Sequence, residues 1–260
     1  MTQDERRIWL IKYLMDEDDY YKNSKVPATV KERKDMLRAL MNIRMPHPIS
    51  SEFLEIQDAY LKEENAAETF VNLDELNACT DDARIYIWQG DITRLSVDAI
   101  VNAANSQMLG CFQPLHACID NIIHSKAGVQ LRLKCNEIMK AQGHEEPTGR
   151  AKITPAYNLP CKYILHTVGP IVRGRLTKQN EEDLASSYRS CLDLAAESGV
   201  KSIAFCCIST GVFMFPNERA AEIAVETVKS WLDATDSQMK VVFNVFKDVD
   251  LLIYQSLLEA

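Results

Sequence analysis

The sequence predicts an α/β fold, a central and mostly parallel β-sheet covered by helices on both faces. Two observations support this fold class. From about residue 83 onwards, short apolar runs typical of buried strands alternate with longer segments of helical periodicity. Before residue 72, the apolar spacing is helical throughout. We therefore predict a helical N-terminal extension over residues 1–72 and an α/β domain over residues 73–260.

The elements follow from local periodicity and from turn residues. In the extension, helical spacing of apolar residues is broken at Pro27 and at Met45–Pro48. Strands are predicted at Arg84–Trp88, Ala99–Val101, Ala151–Thr154, Tyr163–Thr167, Ser202–Ile208 and Met239–Phe246. Helices are predicted at Ile119–Met139 with a break near Ala127–Gly128, and at Glu181–Ser198, Pro216–Leu232 and Asp248–Leu258.

Composition limits the classes of function. The chain has 260 residues, 47% of them hydrophobic, and a formal net charge of −8. This acidity argues against duplex nucleic acid as the main partner, because phosphate backbones are bound by basic faces. A small phosphorylated ligand stays open, since backbone N–H groups at a helix start bind phosphate without net charge.

Cysteine context and hydropathy indicate the compartment. Several of the eight cysteines lie inside apolar or helical runs, which favours free thiols over disulfides. The charged start MTQDERRIWL lacks a signal-peptide core, and no apolar run reaches about 18 residues. We therefore expect a cytoplasmic protein without a membrane segment.

Two strand ends carry polar residues suited to a nucleotide. Gly90-Asp91-Ile92 follows the first strand, where a carboxylate can accept a hydrogen bond from an adenine amino group or a ribose hydroxyl. Asn102-Ala103-Ala104-Asn105 follows the second, where small residues admit a ligand and an amide can bind a ribose diol. A turn-capping Asp and an ordinary turn Asn are the alternatives.

A third candidate is the loop Ser209-Thr210-Gly211-Val212-Phe213, which precedes the helix predicted from Pro216. The free N–H groups and the dipole at a helix start favour a phosphate. The Gly-Lys-Ser/Thr signature of a P-loop is absent from the sequence. A plain strand–helix connection is the alternative.

The fourth candidate is a Cys-x4-His-x-Cys cluster formed by Cys111, His116 and Cys118. Two thiolates and an imidazole suit zinc, and three protein ligands with one open position are typical of a catalytic site. Residues two apart on a helix point to nearly opposite sides. Ligation therefore requires an irregular loop through Pro114, with the helix starting at about Ile119. Three unrelated loop residues are the alternative.

The other histidines and cysteines have structural interpretations. We interpret His124 as a packed helix residue and His166 as a satisfied core histidine. Cys206 and Cys207 are interpreted as small apolar core residues.

Together these motifs resemble a macrodomain, the ADP-ribose-binding α/β/α fold, over about residues 75–260. The resemblance rests on Gly90-Asp91-Ile92, on Val101 to Asn105, and on Ser209 to Phe213 with Pro216. The Cys-x4-His-x-Cys insert, the following Ile119-Asp120-Asn121 and the helical extension resemble the zinc-dependent subgroup of Gram-positive bacteria and some fungi. That subgroup is associated with removal of mono-ADP-ribose from proteins.

The resemblance implies a role for each motif. Asp91 would hold the adenine amino group, with the amide of Ile92 nearby. The ligands of Zn2+ would be Cys111, His116 and Cys118. The distal ribose and phosphate would contact Asn105, Cys118, Ile119 and Asp120, and the diphosphate would contact Ser209, Thr210, Gly211, Val212 and Phe213. The implied catalytic residues are Asn105, Cys118 and Asp120. A water positioned by the metal or the substrate would act in hydrolysis, and Asp120 would assist it.

The resulting hypothesis is a cytoplasmic, zinc-dependent protein-ADP-ribose hydrolase. The segment Leu109-Gly110-Cys111-Phe112 replaces the glycine-rich stretch of the zinc-independent hydrolases, which argues against their metal-free route. In bacteria the subgroup is often encoded beside a sirtuin-type ADP-ribosyltransferase. The expected partners are ADP-ribose and a mono-ADP-ribosylated protein, a lipoylated glycine-cleavage H-like carrier among them, but neither nucleic acid nor membrane. A reader that binds ADP-ribose without cleaving it, or a purely structural zinc, is the alternative.

Overall fold

The computed structural model describes residues 1–258, which begin with three helices. These are α1 (Gln3–Asp16), α2 (Val30–Ile43) and α3 (Ser51–Ala67). Each starts at a hydroxyl residue, Thr2, Thr29 or Ser50, whose side chain accepts a hydrogen bond from a first-turn N–H. Apolar side chains of the three helices form a second core, which Val129 of the α/β domain joins. The predicted helical N-terminal region is confirmed, whereas the boundary at residue 72 stays a prediction.

The central sheet has six strands, β2 (Ile85–Gln89), β4 (Ala99–Ala103), β5 (Ala151–Pro155), β6 (Tyr163–Thr167), β7 (Ser202–Phe205) and β8 (Lys240–Val245). Their order across the sheet is β2-β8-β7-β4-β6-β5. All neighbours pair in parallel except β5, which pairs antiparallel with β6 at one edge. A separate pair is formed by β1 (Val71–Asn72) and β3 (Leu95–Ser96).

Five further helices cover the sheet as two groups. One group is α4 (Ile119–Ala127) and α5 (Val129–Gln142), which pack on each other and on β4 and β5. The other is α6 (Lys178–Glu197), α7 (Asn217–Ala234) and α8 (Asp248–Leu258), where α6 packs on α7 and α7 on α8. Together with the sheet they enclose the larger core. This confirms the three-layer α/β/α arrangement with a mostly parallel sheet.

Two boundaries show how local chemistry limits an element. The break predicted near Ala127–Gly128 is confirmed, because Gly128 has a φ of 101° and ends α4 before α5 begins. The strand predicted to reach Ile208 ends at Phe205, and this part of the prediction is wrong. The carbonyl of Cys207 accepts hydrogen bonds from the backbone N–H and the hydroxyl of Thr210, so the chain turns there instead of pairing with a strand.

Helix length and polarity also bear on membranes. Within residues 1–258, no helix combines the length and the apolar character that crossing a bilayer requires.

Candidate active site

The candidate residues lie where parallel strands end. β2 is followed by Gly90 and Asp91, β4 by Asn105, and β7 by the loop that contains Ser209. The carboxyl ends of parallel strands meet at one edge of the sheet, which is where open α/β sheets bind ligands. The fold therefore brings the motifs that are far apart in sequence to the same edge.

Asp91 caps a short 3-10 turn that starts at Ile92. Its Oδ1 accepts hydrogen bonds from the N–H and the hydroxyl of Thr93, at 3.0 and 2.6 Å, and Lys126 Nζ lies 3.0 Å from its Oδ2. Burial alone would raise the pKa of Asp91, but the Thr93 hydrogen bonds and the Lys126 charge hold that pKa below its usual value. The capping alternative is thus observed, and the adenine contact of Asp91 and Ile92 stays a prediction.

A buried network lies between β4 and α4. Asp120 accepts a hydrogen bond from Asn102 Nδ2 at 2.8 Å and one from Asn105 Nδ2 at 3.4 Å. Asp120 is 5% exposed, and burial raises the pKa of its carboxyl to about 6. Because the carboxylate is buried between two amides, the geometry favours positioning of Asn105 over direct contact with a nucleophile.

Asn105 itself is held by the loop that follows it. Its Oδ1 accepts from the N–H of Gln107 at 3.0 Å, and its Nδ2 donates to the carbonyl of Gly110 at 3.1 Å. Gly110 directly precedes Cys111, so Asn105 ties the strand end to the candidate metal ligands. The structure therefore places Asn105 beside Asp120 and links it through Gly110 to the loop that ends at Cys118, whereas the catalytic role of these three residues stays a prediction.

We define the metal loop as residues 106–118, between β4 and α4. It is irregular, because Met108, Gly110 and Leu115 all have positive φ, between 56° and 80°. Cys118 is the N-cap of α4, which begins at Ile119 as predicted. The predicted irregular loop before the helix is therefore confirmed.

The three predicted metal ligands meet in this loop. The ligand atoms of Cys111, His116 and Cys118 all lie within 4.8 Å of one another, and Cys111 Sγ is 3.7 Å from His116 Nδ1. Two ligands on a tetrahedral zinc, with bonds of about 2.3 Å to sulfur and about 2.0 Å to nitrogen, lie roughly 3.5 Å apart. The side chains are half-buried. The Cys111–His116 distance therefore matches two ligands of one zinc ion, and two thiols with an imidazole are a donor set that fits zinc.

The surroundings of Cys118 disfavour a free thiolate. Burial, followed by the neighbouring Cys111, raises the pKa of the Cys118 thiol to about 11. The backbone N–H of Asn121 donates to Cys118 Sγ at 3.4 Å. A thiol in this environment becomes a ligand by exchanging its proton for a metal ion.

The loop after β7 has the strained form expected of a binding loop. Ser209 has a φ of 66° and is 6% exposed, and its hydroxyl has no hydrogen-bond partner within residues 1–258. A Cβ at Gly169 would lie 2.1 Å from Ser209 Oγ, so this crossing of two loops requires glycine. Thr210, Gly211 and Val212 follow towards solvent. Phosphate contacts of residues 209–213 stay a prediction.

Sequence reasoning missed several residues of this edge. Phe246, predicted as the end of a strand, lies just after β8 and is 75% exposed. Lys126, at the end of α4, pairs with Asp91, so the nine-residue helix links the two strand ends. An exposed aromatic directly after a buried strand is a signal that could have found Phe246. The pairing of Lys126 depends on how α4 lies across the sheet and leaves no local pattern.

Comparison with known proteins bears on both fold and activity. The family model described as Macro domain matches residues 101–224. A Treponema medium protein named "Protein-ADP-ribose hydrolase" is 59% identical over 260 residues, which cover 99% of this chain and 100% of that protein. A Staphylococcus aureus (strain MSSA476) protein of the same name is 53% identical over 231 residues, 88% of this chain and 86% of that protein.

Solved structures agree with the described architecture. The Trypanosoma brucei macrodomain in complex with ADP-ribose superposes with a TM-score of 0.65 at 28% identity. The match covers 84% of this chain and 94% of that one.

Proposed function

The chain belongs to the macrodomain family and is a protein-ADP-ribose hydrolase; we propose that its activity depends on zinc held by Cys111, His116 and Cys118. The observation that carries the proposal is the convergence of these three ligand atoms in a half-buried loop tied to Asn105. When bound, zinc would supply Lewis acidity at an open coordination position near the scissile bond.

The chain's own residues supply position and hydrogen bonds. Asn105, fixed by Gln107 and Gly110, is placed to bind the distal ribose. Asp120 holds both Asn102 and Asn105, so it acts as a positioning residue behind the ribose site. Exact placement of a reacting group removes much of the entropic cost of the reaction. We assign hydrolysis to Asn105 and the ligand Cys118, with Asp120 holding Asn105 in position.

The remaining subsites follow the strand ends. Asp91 and Ile92 would face the adenine, and the segment Ser209 to Phe213 would surround the diphosphate at the start of α7. Ile119 would place the positive end of α4 towards the distal ribose and phosphate. The strained Ser209 supports this assignment, because backbone strain of this kind clusters at binding sites.

The substrate is a mono-ADP-ribosylated protein. We extend this to a lipoylated glycine-cleavage H-like carrier, the target that the zinc-dependent subgroup suggests. A cytoplasmic location is part of the proposal and is supported by eight cysteines that are all free thiols.

The test measures release of ADP-ribose from a mono-ADP-ribosylated protein, with the modified carrier and an unrelated modified protein as parallel substrates. Wild-type protein is expected to turn over, and Asn105→Ala is expected to lose about 100-fold in rate while it keeps its zinc. Tight binding of ADP-ribose by wild-type protein without any turnover would contradict the enzyme and support a reader. Equal turnover of both substrates would contradict the carrier assignment.

A further inference from the structure

The metal loop rests against the N-terminal helices, and this contact has a specific form. We propose that Arg38 and Asn42 of α2 are positioning residues that hold the metal loop in its ligating conformation and so set the affinity for zinc. The inference rests on the proposed zinc site and assigns a task to the extension. It concerns residues that contact neither the metal nor the substrate.

Arg38 binds the metal loop at His116, one of the proposed metal ligands. One guanidinium nitrogen, Nη2, donates to the backbone carbonyl of His116 at 2.8 Å and to Asn121 Oδ1 at 2.8 Å. Arg38 is half-buried against the domain. It therefore fixes the peptide that carries the His116 imidazole.

Asn42 holds the neighbouring residue in an unfavourable backbone conformation. Its Oδ1 accepts from the N–H of Leu115 at 3.0 Å, and its Nδ2 donates to Ser125 Oγ at 2.9 Å. Leu115 has a φ of 56°, a left-handed conformation that a leucine rarely adopts without external support. Asn42 is 1% exposed, so water does not compete with this hydrogen bond.

Asn121 connects Arg38 to the rest of the metal loop by hydrogen bonds. It is fully buried, and its Nδ2 donates to the carbonyl of Gln113 at 2.9 Å and to that of Cys111 at 3.4 Å. Its backbone N–H donates to Cys118 Sγ. One side chain and its backbone therefore contact the segments that carry both cysteine ligands, while Arg38 contacts the segment that carries the histidine.

The same interface contains contacts that do not reach the loop, and these supply matched controls. Asn65 of α3 is 5% exposed, and its Nδ2 donates to the carbonyls of Lys126 and Asn158 at 3.1 and 2.9 Å. It matches Asn42 in residue type, burial and interface. Arg33 lies on α2 five residues before Arg38 and pairs with Asp4 inside the extension. Loss of either control residue weakens the extension but leaves the contacts of the metal loop in place.

The experiment measures zinc affinity by competition with a chromophoric chelator, on full-length Arg38→Ala, Asn42→Ala, Asn65→Ala and Arg33→Ala. We expect the first two variants to lose about 10- to 100-fold in affinity, the usual effect of removing a group that orients a metal ligand. We expect the two controls to stay within about twofold of wild type. Arg38→Lys keeps the charge, but its side chain ends one atom short of the Nη2 position that makes both hydrogen bonds, and it is expected to resemble Arg38→Ala.

Cobalt substitution separates positioning from loss of folding. The thiolate-to-cobalt absorption of folded protein reports ligand geometry, and it should change in Asn42→Ala but stay wild-type in Asn65→Ala at a similar melting temperature. Wild-type zinc affinity in both loop variants, or an equal loss in the Asn65 control, would overturn the inference. If wild type hydrolyses the substrate and binds zinc, such a result leaves the proposed function intact. If wild type binds no zinc, the proposed zinc site itself is wrong.

Discussion

The molecule contains two clusters of cysteine and histidine side chains, and they differ in their suitability for a metal ion. The first is Cys111, His116 and Cys118 in the metal loop. The second, which we call the buried cluster, is His124, Cys135 and His166 on α4, α5 and β6. In both clusters the potential ligand atoms lie within 4.8 Å of one another. Residue type and proximity therefore do not distinguish them.

The burial of the second cluster and the hydrogen bonds of His166 distinguish them. His166 accepts from Asn102 Nδ2 on its Nδ1, at 3.1 Å, because that amide NH2 also faces the Asp120 carboxylate. The proton of the imidazole is then on Nε2, which lies 3.0 Å from Thr154 Oγ1. Neither ring nitrogen of His166 then offers the lone pair that a metal requires. The buried cluster therefore lacks His166 as a ligand and is enclosed in the core, whereas the three candidate ligands of the metal loop are half-buried.

The largest expected effect comes from replacing one cysteine in each cluster and comparing the two variants. Cys118→Ala should remove zinc and lower hydrolysis by at least about 100-fold, because a ligand is lost. Cys135→Ala should keep one zinc per chain and lose only stability, about 1–2 kcal/mol for a small buried deletion. Metal content and turnover of the two purified variants test this. Retained zinc in Cys118→Ala, or lost zinc in Cys135→Ala, would reverse the assignment.

Gly110 connects the clusters, since it precedes Cys111 and packs on the ring of His124. It has a φ of 80°, and a Cβ at this position would lie 2.9 Å from the imidazole. Gly110→Ala should therefore cost about 1–3 kcal/mol from the backbone conformation, with further loss from the clash. Denaturant unfolding gives the measurement, and Gly143→Ala, where a Cβ meets nothing, is the control for glycine strain. An unchanged midpoint for Gly110→Ala would show that the close approach is relieved elsewhere.

Acidification should act on the buried cluster through the neutral His166. Burial lowers the pKa of His166 to about 3, and burial, followed by His166 and Arg132, also lowers that of His124. Because the folded chain keeps these rings neutral, the unfolded chain binds more protons below about pH 6.5. Stability is therefore complete above that pH and falls towards pH 3, by about 1.4 kcal/mol per pH unit for each ring.

The test is urea unfolding of metal-free protein between pH 7 and pH 4. His166→Gln should lower stability at pH 7 but flatten its pH dependence by about one proton. The exposed His144→Gln serves as the control. A slope in His166→Gln equal to that of wild type would mean that the ring is charged or exposed in the native state.

The smallest expected effect concerns the edge of the metal loop. The guanidinium of Arg132 lies over the ring of Phe112, 4.2 Å from its centroid, and also donates to the carbonyl of Leu109 at 2.7 Å. Phe112→Leu should remove the cation–π contact at a cost of about 0.5–2 kcal/mol. The melting temperature should fall by a few degrees, about 2–4 °C per kcal/mol for a chain of this size. Loss of zinc from Phe112→Leu at an unchanged melting temperature would show instead that Phe112 orients the metal ligands.

The comparison of the clusters also shows what sequence can predict. Strands and helices followed from periodicity, and the break at Gly128 followed from one glycine. The three candidate ligands in the metal loop could be identified because they lie within eight residues and directly precede a predicted helix start. Local patterns of this kind can be predicted from the sequence, because the physical constraint acts between residues that are near neighbours in the chain.

Contacts between segments that are distant in sequence could not be predicted from the sequence. Arg38 is 78 residues from His116, and its helix position gives no sign of a loop contact. The engagement of His166 depends on Asn102, 64 residues away, and on Thr154 across a strand pair. The early end of β7 depends on a turn closed by Thr210. Each of these is decided by tertiary packing, which periodicity does not encode.

The central claim is that hydrolysis depends on metal in the loop cluster, and removal and return of zinc test it most directly. Protein stripped with a chelator should lose release of ADP-ribose from the modified protein, and one equivalent of zinc should restore it. Metal analysis of the restored protein should give one zinc per chain. Full activity of thoroughly stripped protein would contradict the account, since catalysis would then belong to Asn105 and its neighbours alone.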